Sequence, residues 1–187
     1  MNVPNLISLV RLAAVPLVVW MIATERLAGA FWVFIAAGVS DAVDGYLARV
    51  LNQRTKLGAY LDPLADKLLL VCVFVTLGHA GKLDSWLVIL VVSRDIMIVG
   101  GIILLSLVEH RIAIAPSSIS KANTIVQVAF AGLVLARYGL DFRGLGWNAA
   151  LEWASYGVAL TTLFSGAHYV VVGIRHLAAA DGGQAKG

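Results

Sequence analysis

Six long apolar segments dominate this chain of 187 residues and limit what it can fold into. They span residues 5–23, 28–51, 58–79, 85–108, 118–138 and 147–176. Each is close to the roughly 20 residues that an apolar helix needs to cross a bilayer. Only 13% of the residues are charged, about half the share of a water-soluble domain, which is too few to cover a water-facing surface. The sequence therefore predicts an all-α integral membrane protein with six transmembrane helices in one bundle.

The length leaves room for one domain. We expect a membrane domain over residues 1–177 and a disordered tail over residues 178–187, which is short, polar and rich in glycine. The first apolar segment lacks a basic leading region and a cleavage site of small residues, so we expect a retained helix and not a signal peptide. Cys72 is the only cysteine, which excludes disulfides within the chain and cysteine-based metal sites.

The charge distribution predicts an orientation in the membrane. A net charge of +3 without a basic run suits anionic lipid headgroups and gives no reason to expect nucleic acid. With the N-terminus inside, seven basic residues fall on the cytoplasmic side, where the positive-inside rule expects an excess; they are Arg49, Arg54, Lys56, Arg111, Lys121, Arg175 and Lys186. Four fall on the opposite side, namely Arg26, Lys82, Arg137 and Arg143.

Four aspartates lie in the apolar segments, Asp41 and Asp44 late in the second, Asp62 and Asp66 early in the third. A carboxylate in a bilayer is costly, so it points to a functional site. Residues three or four apart share a helix face, and two antiparallel helices can direct all four carboxylates at one point. Carboxylate oxygens favour Mg²⁺, Mn²⁺ or Ca²⁺ over zinc. About four negative charges call for two divalent ions, an arrangement suited to substitution at phosphorus.

Small and basic residues accompany the aspartates. Gly45 and Ala48 lie beside Asp44 and let a large polar ligand approach the backbone. Gly58 either does the same or permits an unusual turn. Arg49 is placed to meet a phosphate near the cytoplasmic interface.

Residues 41–66 read D-x2-D-G-x2-A-R-x8-G-x3-D-x3-D, which resembles the signature of the CDP-alcohol phosphatidyltransferases. The resemblance implies a six-helix, homodimeric, multi-pass protein, as in the bacterial inner membrane, with its active site at the cytoplasmic face. It implies transfer of a phosphatidyl group from CDP-diacylglycerol to an alcohol, with two Mg²⁺ or Mn²⁺ ions and with Asp66 as general base. The implied metal ligands are Asp41, Asp44, Asp62 and Asp66. The implied CDP-binding residues are Asp41, Asp44, Gly45, Ala48, Arg49 and Gly58.

The acceptor alcohol must be selected elsewhere in the chain. Arg11, inside the first apolar segment, either contacts a substrate phosphate or forms an interhelical pair. Arg94 either reaches an acceptor phosphate or neutralises its neighbour Asp95. Lys121 is a second phosphate candidate. It belongs to a stretch whose polar groups recur at helical spacing and predict a stripe facing the bundle interior; they are Ser120, Asn123, Thr124 and Gln127.

These patterns in the fourth and fifth segments most resemble the branch of the family that makes cardiolipin from phosphatidylglycerol. The branch that makes phosphatidylglycerophosphate from glycerol 3-phosphate is the alternative, followed by other acceptors. An intramembrane prenyltransferase would need two distant aspartate-rich motifs and a longer chain. A non-catalytic membrane protein that binds divalent ions, such as a transporter or a scaffold, is a further alternative. Acids for ion conduction would be spread through the depth of the bilayer, whereas these four cluster near one face.

Overall fold

The computed structural model describes the backbone of residues 3–50, 56–108, 118–142, 144 and 146–184, and the side chains of residues 10–40, 65–101, 118–142, 144 and 146–174. This part of the chain forms helices and contains no strand, which confirms the predicted all-α class. In chain order the helices are α1 (Val3–Ala23), α2 (Leu27–Val50), α3 (Lys56–His79), α4 (Ser85–Val108), α5 (Ser118–Gly139) and α6 (Trp147–Gln184).

The helix boundaries agree with the predicted segments to within two residues, apart from the end of α6. The structure describes α6 as far as Gln184, past the predicted start of the tail at Ala178; the disorder expected of the tail stays a prediction. Ala178, Ala179 and Ala180 have the highest helix propensity and favour the first part of this continuation.

The helices pack as a ring in the order α1, α2, α5, α6, α4, α3 and back to α1. Helix α3 also contacts α5 across this ring. As a result, both helices that carry the aspartates contact α1 and α5. Among the described contacts, α1 and α5 connect α2 to α3 in place of direct packing.

A short turn sets α1 beside α2. The Thr24 hydroxyl donates to the Trp20 carbonyl at 2.8 Å, Glu25 takes a positive φ of 58°, and the Arg26 amide donates to the Met21 carbonyl at 2.8 Å. Only three residues separate the two helices, so α1 and α2 form an antiparallel hairpin.

The end of α5 packs against the start of α2. A Cβ added at Gly139 would lie 2.6 Å from the backbone oxygen of Leu27. No other residue leaves room for that approach, so Gly139 lets α5 pack tightly against α2.

The outer surface of the bundle is apolar. Trp32, Ile89 and Phe164 are each more than 60% exposed, which suits a lipid environment better than water. Within the described residues, two helical stretches are long and apolar enough to cross a membrane, Ser118–Gly139 and Trp147–Ile174. Two further apolar helical stretches, Val10–Ala23 and Leu27–Ser40, are shorter.

Candidate active site

The aspartate motif lies on two helices. Asp41 and Asp44 fall near the end of α2, and Asp62 and Asp66 fall in the first half of α3. Because both stretches are helical, each pair lies on one helix face, as its spacing predicted. The side chains of Asp41, Asp44 and Asp62 lie outside the described residues, so convergence of the four carboxylates stays a prediction. The same holds for the contacts of the predicted CDP-binding residues Gly45, Ala48, Arg49 and Gly58.

Asp66 is the aspartate of the motif whose side chain the structure describes, and it pairs with Arg11. The Nη1 atom of Arg11 donates to Oδ1 of Asp66 at 2.6 Å, joining α1 to α3. The Arg11 side chain is only 2% exposed, whereas that of Asp66 is 39% exposed. The interhelical pair expected as one role of Arg11 is therefore present. The contact also fixes a partly accessible carboxylate in one orientation, as a general base requires.

A second charged cluster begins at the next residue of α3. The Lys67 ammonium donates to Oδ1 of Asp95 on α4 at 2.5 Å. The same oxygen accepts from Nη1 of Arg94 at 2.7 Å. Asp95 and Arg94 are buried, and Lys67 is 30% exposed. One carboxylate thus neutralises one of two cations, and the three groups carry a formal charge of +1.

Arg94 also forms hydrogen bonds with side chains of two other helices. Its Nη2 atom donates to the hydroxyl of Ser120 on α5 at 2.8 Å and to the hydroxyl of Ser165 on α6. The arginine therefore connects α4 to α5 and α6. This is the neutralising role considered for Arg94, and its proposed contact with an acceptor stays a prediction.

The predicted polar stripe of α5 does face the bundle interior. Ser120, Asn123 and Gln127 are buried, and Thr124 is half-buried. The Gln127 amide donates to the Thr162 hydroxyl of α6 at 3.2 Å, and that hydroxyl donates to Oδ1 of Asn123 at 3.1 Å. Thr162 is the centre of a three-residue polar contact between α5 and α6.

Lys121 follows Ser120 in the chain but is exposed. Successive residues of a helix point about 100° apart, so the buried stripe turns Lys121 toward the surface. The structure does not bring it into the Arg94 cluster.

Sequence reasoning missed Lys67. The signal was present, because Lys67 directly follows the last aspartate of the motif and precedes the apolar run 68–75. A cation in that position needs a reason. The structure supplies one in Asp95, 28 residues away.

The residues of the motif fit a divalent metal by the chemistry of their donors. Four carboxylates make an all-oxygen set of the kind that Mg²⁺ and Mn²⁺ prefer, and the described member, Asp66, is partly accessible. Among the described side chains, no group of three or more His, Cys, Asp or Glu could hold a metal ion. Three of the four predicted ligands lie outside that set.

The chain matches known proteins over most of its length. The family model for CDP-alcohol phosphatidyltransferases matches residues 1–164. A chloroplastic CDP-diacylglycerol–glycerol-3-phosphate 3-phosphatidyltransferase of Oryza sativa subsp. japonica is 35% identical over 188 residues, covering 90% of this chain and 56% of the relative. A cardiolipin synthase (CMP-forming) of Streptomyces coelicolor is 32% identical over 194 residues, covering 97% and 86%.

The cardiolipin synthase (CMP-forming) of Homo sapiens is 33% identical over 151 residues, covering 72% of this chain and 50% of the relative. The chain thus spans about half the length of the rice and human relatives. These matches confirm the resemblance that the aspartate motif suggested.

Proposed function

Because the chain belongs to the CDP-alcohol phosphatidyltransferase family, we propose that it transfers a phosphatidyl group from CDP-diacylglycerol to a glycerol-bearing acceptor and releases CMP. The observation that carries this proposal is the placement of the aspartate motif. Its two pairs lie on helices α2 and α3, and its last member, Asp66, is a partly exposed carboxylate oriented by Arg11.

Phosphatidylglycerol is the acceptor that we favour, and its product is cardiolipin. The Streptomyces relative bears the name of that activity and matches this chain over nearly all of both proteins. Glycerol 3-phosphate is the second candidate, which gives phosphatidylglycerophosphate. It is supported by the 35% identity to the rice relative, whose name includes that acceptor.

The proposed reaction is a single displacement. The acceptor hydroxyl oxygen forms a bond to the phosphorus of the phosphatidyl group, and the bond from that phosphorus to the CMP oxygen breaks. The bonding electrons leave with CMP, and the hydroxyl proton passes to Asp66. Arg11 holds the Asp66 carboxylate toward the acceptor. General base catalysis of this kind is typically worth about 10²- to 10⁴-fold in rate.

The other residues of the motif bind the donor. When bound, two Mg²⁺ or Mn²⁺ ions supply positive charge at the diphosphate. The proposed metal ligands are Asp41, Asp44, Asp62 and Asp66. The proposed CDP-binding residues are Asp41, Asp44, Gly45, Ala48, Arg49 and Gly58.

Three basic residues are the proposed contacts of the acceptor's phosphate. Arg11 has the most direct support, because it touches the proposed base. Arg94 belongs to the cluster that starts at Lys67, next to Asp66 along α3. Lys121 is exposed on α5 beside Ser120, which binds Arg94. Lys67 joins them as a fourth candidate, because it is the partly exposed cation of that cluster.

We also propose that all six helices cross the membrane, that the aspartates lie at its cytoplasmic face, and that the protein is a homodimer. Helix length and the apolar outer surface support the six crossings. The excess of basic residues on one side supports the orientation.

Product identification tests the proposal. The purified protein is supplied with CDP-diacylglycerol, Mg²⁺ or Mn²⁺, and either phosphatidylglycerol or glycerol 3-phosphate. We expect CMP release and cardiolipin by mass spectrometry with the first acceptor. Chelation with EDTA should abolish turnover, and added Mg²⁺ or Mn²⁺ should restore it. Absence of CMP release with any alcohol acceptor would reject the enzymatic function.

A further inference from the structure

Lys67 is a partly exposed cation with unused hydrogen-bond donors. Its ammonium group has three N–H donors, and it donates to Oδ1 of Asp95 at 2.5 Å. Within the part of the chain that the structure describes, Lys67 has no other hydrogen-bond or ion-pair partner. Its side chain is 30% exposed. The remaining donors can therefore bind an anion that reaches this side of α3.

Asp95 neutralises Lys67 incompletely, because it also pairs with Arg94. The Nη1 atom of Arg94 donates to the same Oδ1 atom at 2.7 Å. The other oxygen of Asp95, Oδ2, is buried and has no hydrogen-bond partner among the described groups. The three residues carry a formal charge of +1, and Arg94 and Asp95 are buried, where an unbalanced charge is costly. An anion beside Lys67 would remove the imbalance.

Arg94 is not placed to bind that anion itself. Both of its terminal nitrogens form hydrogen bonds, to Asp95, Ser120 and Ser165. The whole residue is only 3% exposed, and its Nε atom is buried as well. An anion could reach Arg94 only if the contacts with α5 and α6 opened. Lys67 is thus the accessible cation of the cluster.

Lys67 directly follows Asp66, the proposed general base, in α3. Consecutive Cα atoms are about 3.8 Å apart, and the Asp66 side chain is also partly exposed. Successive residues of a helix point about 100° apart, which agrees with the carboxylate binding α1 and the ammonium binding α4. A ligand that spans the two side chains needs a hydroxyl at one end and an anionic group a few bonds away.

We propose that Lys67 binds the phosphate of the acceptor, while Asp66 takes the proton of the acceptor's hydroxyl. Arg94 is then a positioning residue, which acts on Lys67 through their shared partner Asp95. This inference rests on the proposed function and narrows its candidates for the phosphate contact. A glycerol phosphate unit has a phosphate at one end and a free hydroxyl at the other, and phosphatidylglycerol and glycerol 3-phosphate both contain it. The donor's diphosphate is served instead by the four carboxylates with their proposed metal ions.

Removing the charge of Lys67 tests the inference without leaving Asp95 unpaired. In Lys67→Met, Arg94 still neutralises Asp95, so the formal charge of the cluster falls from +1 to zero and the protein should fold. Lys67→Arg keeps a cation at the same position. Lys82→Met is the matched control, because Lys82 is 23% exposed, pairs with Glu25 and lies in the turn after the other end of α3.

Each full-length variant is assayed in detergent micelles for CMP release from CDP-diacylglycerol, with phosphatidylglycerol or glycerol 3-phosphate as acceptor. The arm in which the unmodified protein turns over identifies which of the two supplies the phosphate. For that acceptor, Lys67→Met should raise the KM roughly 10- to 100-fold, the range for losing one hydrogen bond between charged groups. The KM for CDP-diacylglycerol, kcat and the thermal unfolding midpoint should stay close to those of the unmodified protein. Lys67→Arg should recover most of the loss, and Lys82→Met should show none.

Three results would overturn the inference while the phosphatidyl transfer stands. The first is an acceptor KM that Lys67→Met leaves unchanged. The second is an equal rise in both KM values, which would assign the cation to the donor or, with lowered thermal stability, to the fold. The third is Lys67→Arg as impaired as Lys67→Met, since the site would then not depend on positive charge. Failure of the unmodified protein to release CMP with either acceptor would instead defeat the proposed function, and the inference with it.

Discussion

Arg11 and Arg94 are both arginines buried in an apolar bundle, yet their surroundings differ. Arg11 binds Asp66, whose side chain is 39% exposed and which ends the aspartate motif. Arg94 binds Asp95, which is 5% exposed, and two serine hydroxyls on α5 and α6. The first pair is open on the carboxylate side, and the second is enclosed by three helices.

We expect this difference to separate catalysis from architecture. Removing one partner of a buried ion pair leaves the other charge buried and uncompensated, so such a pair acts first on stability. An ion pair with one accessible carboxylate can orient that carboxylate for chemistry. The open pair at α1 and α3 is therefore where we expect substitutions to affect turnover. The closed cluster at α4 is where we expect them to affect stability first.

Asp66→Asn should have the largest effect on activity. The asparagine retains an oxygen that can accept from Arg11, but it loses the charge and the capacity to take a proton. We expect kcat to fall at least about 10²-fold, the lower range for loss of a general base, while some binding of CDP-diacylglycerol persists. CMP release and donor binding measure the two effects.

A matched control for Asp66→Asn lies at the other end of α3. Asp84 is an exposed aspartate in the α3–α4 turn, and Asp84→Asn should retain normal turnover. Full activity of Asp66→Asn would remove Asp66 as the base and make its pairing with Arg11 purely structural.

Asp95→Asn should have the largest effect on stability. It leaves Arg94 and Lys67 without a neutralising charge. Removing one partner of a buried ion pair costs about 3–5 kcal/mol in the free energy of unfolding. Denaturation in detergent micelles measures the loss.

The exposed Glu25–Lys82 pair is the control for Asp95→Asn. The two groups are 3.4 Å apart, and Glu25 is 62% exposed, so Glu25→Gln should cost no more than about 1 kcal/mol. Equal losses of unfolding free energy in the two variants would show that water reaches the Arg94–Asp95 pair.

Sequence patterns predicted the features of this molecule that are local. The apolar runs gave the helix boundaries, because polar turns interrupt them at regular intervals. The spacing of Ser120, Asn123 and Gln127 placed them on one inward face, since that periodicity belongs to the helix itself. The family motif likewise depends on residues within one short stretch.

The pairings between helices were not predictable in the same way. Arg11 and Asp66 are 55 residues apart, and Lys67 and Asp95 are 28 apart. Which cation meets which carboxylate depends on the order of helices in the ring, and apolar segments of similar composition do not encode that order by periodicity. The sequence offered an interhelical pair for Arg11 without identifying its partner.

Arg94→Ala tests whether the enclosed cluster also serves the substrate. If Arg94 contacts the acceptor's phosphate, the acceptor's KM should rise roughly tenfold, equivalent to about 1.4 kcal/mol, and the donor's KM should rise less. Arg137→Ala provides a control, because Arg137 stacks over Tyr138 at the other end of α5. Equal changes in the two KM values, with lowered stability, would assign Arg94 to the architecture alone.

Thr162→Val should have the smallest effect, and it probes the enclosed region without altering charge. Valine has nearly the same shape but cannot accept from Gln127 or donate to Asn123. Both amides are buried, so the free energy of unfolding should fall by about 1 kcal/mol, as interhelical hydrogen bonds in membranes contribute about 0.6–2 kcal/mol. Thr161→Val is the matched control, since the Thr161 hydroxyl donates to the Val158 carbonyl within its own helix. If the two variants lost equal stability, the α5–α6 polar contact would contribute nothing of its own, and the closure of the ring around Arg94 would rest on apolar packing.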